Sequence, residues 1–171
     1  HLPLILAPDK SKLSKRHGDT SALAYKKDYL PEAIINFLGS LSYTFSKEII
    51  TKEEMIKEFE IGKVHKSGAV FDIKTLNWIN SQYVRNLDIV SLRKLTGVEE
   101  IPEKALPIIT ERLEKLSDIQ DFDFFWSEPK CDKNLLKWKK ASLEESITAL
   151  KAAEEVLKEI KFTKENLQNS L

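Results

Sequence analysis

Residues 8–21, "PDKSKLSKRHGDTS", hold the most concentrated chemistry in the chain. Lys10, Lys12, Lys15 and Arg16 fall within seven residues, with Ser11 and Ser14 between them and Gly18 just beyond. Cations spaced two and three apart can converge on one polyanion. Ser and Gly let the backbone approach an anion and offer it N–H groups. A triphosphate, or a pyrophosphate forming as it leaves, suits such a set, because fixed cations aimed at charge appearing in a transition state are a large catalytic term. Most lysine-rich loops are solvated connections. This one follows directly on "LPLILAP" (Leu2–Pro8), which reads as a buried strand, and α/β folds place ligands at strand ends. No GxxxxGK[ST] is present, so the loop is not a P-loop.

Beyond the loop, helices dominate. Thr20 or Ser21 can cap a short helix carrying Leu23, Ala24 and Tyr25. Pro31 suits a first helical turn, and Ala33, Ile34, Phe37, Leu38 and Leu41 form an apolar stripe after it. Thr51 and Glu54 match a capping box ahead of Met55, Ile56 and Phe59. Asp72 can cap a helix whose Ile73, Leu76, Ile79 and Tyr83 share a face, and Gly97 can close a short helix over Ile89–Leu95. Trp78 is expected in the core. "GVEEIPEKALP" (Gly97–Pro107), with two prolines and several acids, reads as a domain boundary. Ile108, Ile109, Leu113 and Leu116 then mark a helix, and Phe122–Trp126 is an aromatic knot. The longest periodic stretch, Ser142–Ile160, carries Leu143, Ile147, Leu150, Leu157 and Ile160.

The 171 residues allow one large domain or two small ones. Cys131 is the single cysteine, which excludes an internal disulfide and fits a reducing compartment. Lys plus Arg and Asp plus Glu both number 27, so net charge predicts no partner. Distribution says more. Residues 1–27 carry six cations against Asp9 and Asp19, and residues 98–128 carry nine acids against Lys104, Arg112 and Lys115. Such polarity fits a surface of which only part meets an anion. No apolar run approaches the roughly 20 residues that span a bilayer, and the N-terminus lacks signal-peptide features. His1 opens on an apolar run with no initiator Met, and "TKENLQNSL" begins a helix that stops without a cap. Both ends read as cuts within a longer protein.

"HLPLILAPDKSKLSKRHGDTS" resembles the second signature region of the class I aminoacyl-tRNA synthetases, in particular the bacterial-type glutamyl branch. Lys12-Leu13-Ser14-Lys15-Arg16 is similar to that family's KMSKS loop, with Leu for Met and Arg for the final Ser, and His17-Gly18 and His1-Leu2-Pro3-Leu4 resemble the flanks. "YLPEAIINFLGSLSYTF" (Tyr29–Phe45) and "KVHKSGAVFDIKTLNWINSQYVRNL" (Lys63–Leu87) resemble the segments that follow, with Gly68 where Pro is usual. The resemblance implies a mainly α chain. Residues 1–20 would end the catalytic domain, 21–97 would form a helical stem-contact domain, and 98–171 would start a helical anticodon-binding domain.

By the same resemblance, Lys12 and Lys15 are catalytic, Lys15 steadying the phosphates as glutamate attacks the α-phosphate. Ser14 and Arg16 join them in binding ATP, with Mg2+ expected from the family. Lys63, Lys66, Ser67, Gln82, Tyr83 and Arg85 would face tRNA phosphates and sugars, where side-chain donors position without reading sequence. The partners are tRNA for glutamate, with tRNA for glutamine left open, plus glutamate and ATP in a cytoplasmic monomer with no membrane contact. His17, His65 and Cys131 have no ligand spacing, so no metal site is expected in this chain. Lys137, Lys139 and Lys140 flank Trp138 in "KWKK", which suits either RNA stacking or, slightly favoured, an amphipathic helix that buries the indole. The fragment alone is expected to be inactive. A competing reading is a non-catalytic helical module for RNA or protein binding. A glutaminyl enzyme is disfavoured, since that branch continues into β-barrels where residues 98–171 look helical.

Overall fold

The structure, a computed structural model, describes residues 4–14, 16, 21–128 and 132–159. It divides into two compact units, His1–Ser127 and Glu128–Leu171.

The first unit is mostly helical. In chain order it contains β1 (Ile5–Leu6), α1 (Ala22–Tyr25), α2 (Pro31–Ser42), α3 (Lys52–Glu58), β2 (Ala69–Val70), α4 (Ile73–Val84), α5 (Ile89–Thr96) and α6 (Leu106–Arg112). A 3-10 stretch, Leu116–Phe125, follows α6. The helix starts are built locally. Pro31 occupies the first turn of α2. Thr51 and Glu54 form the complete capping box of α3. Asp72 and Asp88 cap α4 and α5 by accepting from Lys74 and Ser91 N–H groups. Gly97 ends α5 in the left-handed region, at φ 72°, where a side chain would be strained.

The core joins Leu30, Ala33 and Phe37 of the α2 region to Leu76, Ile79 and Val84 of α4. Leu92, Ile101, Ile109, Leu113, Leu116 and Ile119 complete it. Buried asparagines stitch these pieces together. Asn80 Oδ1 accepts from the Leu30 N–H at 2.9 Å, and its Nδ2 donates to the Glu114 carbonyl at 2.6 Å. Asn36 Oδ1 accepts from the Ile50 N–H at 3.0 Å, and its Nδ2 donates to the Glu48 carbonyl at 3.0 Å.

Three expectations change. The division at residues 97/98 is not where the structure divides. Ile101, Ala105, Ile109 and Leu113 enter the same core as α2 and α4, and the first unit continues to Ser127. The helix over Ile108–Leu116 stops at Arg112, because the Leu116 N–H is taken by the Asp28 carbonyl at 2.9 Å. The N-terminal strand is short and not buried: β1 spans two residues, and Leu4 is 58% exposed. It pairs in parallel with β2, Ile5 opposite Ala69 and Leu6 opposite Val70.

In the second unit, a 3-10 turn (Lys133–Leu136) packs against α7 (Leu143–Glu159). Ser142 and Glu145 cap α7 reciprocally: the Glu145 N–H donates to Ser142 Oγ and the Ser142 N–H to Glu145 Oε2. Ile160 lies outside the described residues.

Candidate functional site

The cationic loop begins as a tight hairpin. The Ala7 N–H donates to the Ser11 carbonyl at 2.8 Å, the Lys10 N–H to the Ala7 carbonyl at 2.8 Å, and the Leu13 N–H to the Ile5 carbonyl at 3.1 Å. Pro8, Asp9 and Lys10 therefore form a three-residue turn, and Lys10 takes the left-handed position (φ 65°) that such turns usually give to Gly. Asp9 Oδ1 accepts from the Ser11 N–H and braces the corner. Leu6 bridges antiparallel to Lys12, so the chain doubles back along β1 before running outward.

Lys10, Lys12 and Arg16 are exposed, and Ser14 is half-buried. Lys15, His17 and Gly18 lie outside the described residues, as does Cys131. The turn is anchored on its inner side by Ala7, which has no exposed surface. Fixed cations on a braced turn can meet an extended polyanion without reorganising the scaffold. Among the described residues no cluster of three His, Cys, Asp or Glu side chains could hold a metal ion.

The six residues expected to face RNA do not form one patch. Lys63, Lys66 and Ser67 are exposed on the segment that leads into β2. Lys63 Nζ lies 2.6 Å from Glu60 Oε1. Gln82 and Arg85 sit near the C-terminal end of α4, linked to each other at 3.4 Å, and Arg85 Nη2 donates to the Glu111 carbonyl. Roughly 15 Å of helix, at about 1.5 Å per residue, separates that end from the β2 side. Tyr83 departs from the expectation. Its hydroxyl is used inside the fold, donating to the Ile50 carbonyl at 2.9 Å with Asn36 Oδ1 at 3.1 Å, and burial raises its pKa.

Both tryptophans weighed from the sequence are corrected. Trp78 is 43% exposed. It lines a groove of about 660 Å³ together with Tyr43, Phe45, Lys47 and Lys74. The periodicity of α4 carried the signal, since Trp78 lies about 200° around the helix from Leu76, opposite the buried stripe. Trp138 is 72% exposed and lies ahead of α7, not within an amphipathic helix. Its backbone N–H donates to Ser146 Oγ, and Lys139 Nζ stands 5.4 Å from its ring. His65 is an exposed polar residue whose Nε2 lies 3.3 Å from Thr44 Oγ1.

Residues 1–78 match the family model of the class I tRNA synthetase (E and Q) catalytic domain, and residues 74–171 match that of the anticodon binding domain. The chain belongs to the class I tRNA synthetases of the glutamate and glutamine type. A glutamate–tRNA ligase from Dehalococcoides mccartyi is 38% identical over 90% of the chain, and one from Natranaerobius thermophilus is 42% identical over 70%. The crystal structure of a glutamate tRNA ligase from Elizabethkingia meningosepticum matches at a TM-score of 0.74 with 32% identity, over 99% of this chain and 40% of that one. The synthetase chain spans 36% of the length of the Dehalococcoides relative. The synthetase match favours the aminoacylation reading over a free-standing helical module. No helix among the described residues is long and apolar enough to cross a membrane.

Proposed function

We propose that the full-length protein carrying this chain is a glutamate–tRNA ligase. It would join glutamate to ATP, releasing pyrophosphate and forming glutamyl-adenylate, and then pass the glutamyl group to the 3′ end of tRNA. The observation that carries this reading is the braced hairpin at the end of β1, which holds Lys10 and Lys12 at exposed positions in a synthetase fold. Lys12 and Lys15 steady the phosphates as the α-phosphorus is attacked, with Ser14 and Arg16 contacting ATP beside them. Lys63, Lys66 and Ser67 position tRNA from the β2 side, and Gln82 and Arg85 from the far end of α4. Exposed Trp138 among Lys137, Lys139 and Lys140 offers RNA a stacking face in the second unit. The protein works as a monomer in the cytoplasm. It charges tRNA for glutamate, and charging of tRNA for glutamine is tested in the same assay. Residues 1–20 close the catalytic domain, and the chain without the rest of that domain is inactive.

The test is pyrophosphate exchange by the full-length protein, run with tRNA and glutamate present. Lys15→Ala slows exchange by about 10²–10³-fold, the scale of losing one preorganised donor. ATP affinity changes less, because the charge Lys15 meets grows in the transition state. Lys15→Arg restores activity only in part, since a planar fork does not replace a compact ammonium. Exchange at the wild-type rate in Lys15→Ala would remove Lys15 from its role, and no exchange by the wild-type protein would remove the reading.

A further inference from the structure

Phe71 touches the chain on both sides of the cationic loop. Its backbone N–H donates to the carbonyl of Leu6, the last residue of β1, at 2.8 Å. Its ring lies 5.8 Å from that of Tyr25, the last residue of α1, which follows the loop. A second ring contact, edge-on at 5.0 Å, ties it to Phe37 on the buried face of α2. The next residue, Asp72, is pinned as the cap of α4: it accepts from the Lys74 N–H at 3.0 Å and from Thr75 Oγ1 at 2.9 Å. One residue thus joins the entry of the loop, its exit, the helical core and the start of α4.

We infer that Phe71 is a positioning residue for the cationic loop, setting where its cations stand by holding both ends to α2 and α4. This rests on the reading of the loop as the ATP-binding element. The backbone bond fixes the entry whatever side chain stands at 71. The ring fixes the exit, so the side chain can be changed without breaking the β1–β2 pair. Aromatic pairs at these separations are favoured beyond the area they bury. A segment held by few apolar contacts opens locally when one is removed. Tyr25 also rests on Tyr29 at 5.6 Å, so losing the Phe71 ring loosens α1 without releasing it.

The experiment uses the full-length protein and two readouts. The first is the rate of native-state tryptic cleavage after Lys10, Lys12 and Arg16, which needs no enzymatic activity. The second is kcat and KM for pyrophosphate exchange. Phe71→Leu keeps the backbone bond and removes the ring. It speeds loop cleavage by about tenfold and lowers kcat by a similar factor, with KM for glutamate unchanged. Tyr25→Leu acts on the same contact from the other side, and the double variant is no worse than either single one. Ile109→Val, a core change away from the loop, alters neither readout. The inference fails if both single variants cleave at the wild-type rate, or if Ile109→Val matches them. Should the wild-type protein show no exchange, the ligase reading falls while the cleavage rates still decide what Phe71 holds.

Discussion

The Tyr83 hydroxyl donates to the carbonyl of Ile50 at 2.9 Å, closing the start of α3 onto α4. The neighbouring Asn36 Oδ1 accepts from the Ile50 N–H, so both backbone groups of Ile50 are held by side chains from two helices. Tyr83→Phe removes one bond and leaves that carbonyl without its partner. We expect a loss of about 1–2 kcal/mol in urea unfolding, with tRNA affinity of the full-length protein unchanged. A weakened tRNA complex at wild-type stability would return Tyr83 to the RNA surface.

Asn80 has no exposed surface and serves two backbone segments. Asn80→Ala strands the Leu30 N–H and the Glu114 carbonyl in the core. The expected cost is about 2–4 kcal/mol, since each buried group loses its partner. Asn80→Asp keeps an acceptor for Leu30 but puts a carboxylate against the Glu114 carbonyl, and it is also destabilising. Equilibrium unfolding of the three proteins ranks them, and a neutral Asn80→Ala contradicts the stitching role.

Lys10 stands left-handed where the turn favours Gly. Lys10→Gly relieves a conformation that costs a side-chain-bearing residue about 1 kcal/mol. The chain should gain roughly 0.5–1 kcal/mol, while Lys10→Ala gains nothing because Ala keeps the Cβ. Denaturant midpoints of the two variants make the comparison, and equal midpoints would sink it.

Glu54 is held at about 2, down from 4.5, first by the Thr51 N–H and then by Lys47 and the Thr51 hydroxyl. A carboxylate with a depressed native pKa contributes stability above its unfolded value, and the contribution fades as pH falls toward the native value. Wild-type stability should therefore drop between about pH 4.5 and 2, and Glu54→Gln should flatten that limb while lowering stability near pH 7. Melting curves across this range test it; an unchanged acid limb in Glu54→Gln would place the titration elsewhere.

Local signals were legible because they act over one turn. Thr51 with Glu54, Asp72, Gly97 and Pro31 each stand where their types predict, since a cap needs only its own helix end. Ser21 caps α1 as one of two expected candidates, and Thr20 lies outside the described residues. What the sequence hid depends on distant partners. Nothing near Ile5 announces Ala69 as its neighbour. The early end of α6 comes from Asp28, a residue of another segment. Apolar bulk points Trp78 and Trp138 inward, but position around or outside a helix decides their exposure. In the loop, residue types were readable, but the hairpin that aims Lys12 arises from the Ala7–Ser11 backbone pair.

The parallel pairing of β1 with β2 also orders events while the chain is being made. Ile5 has its partner only once Ala69 has emerged, about 64 residues later, and ribosomes add roughly 5–20 residues per second. For several seconds the lysine-rich segment has neither the strand beside it nor the Phe71 ring. The α2–α3 block rests on near contacts such as the Asn36 amide with Glu48 and Ile50, and can close in that interval. The cationic segment, although made ahead of α2 and α3, gains its strand partner only after both have emerged.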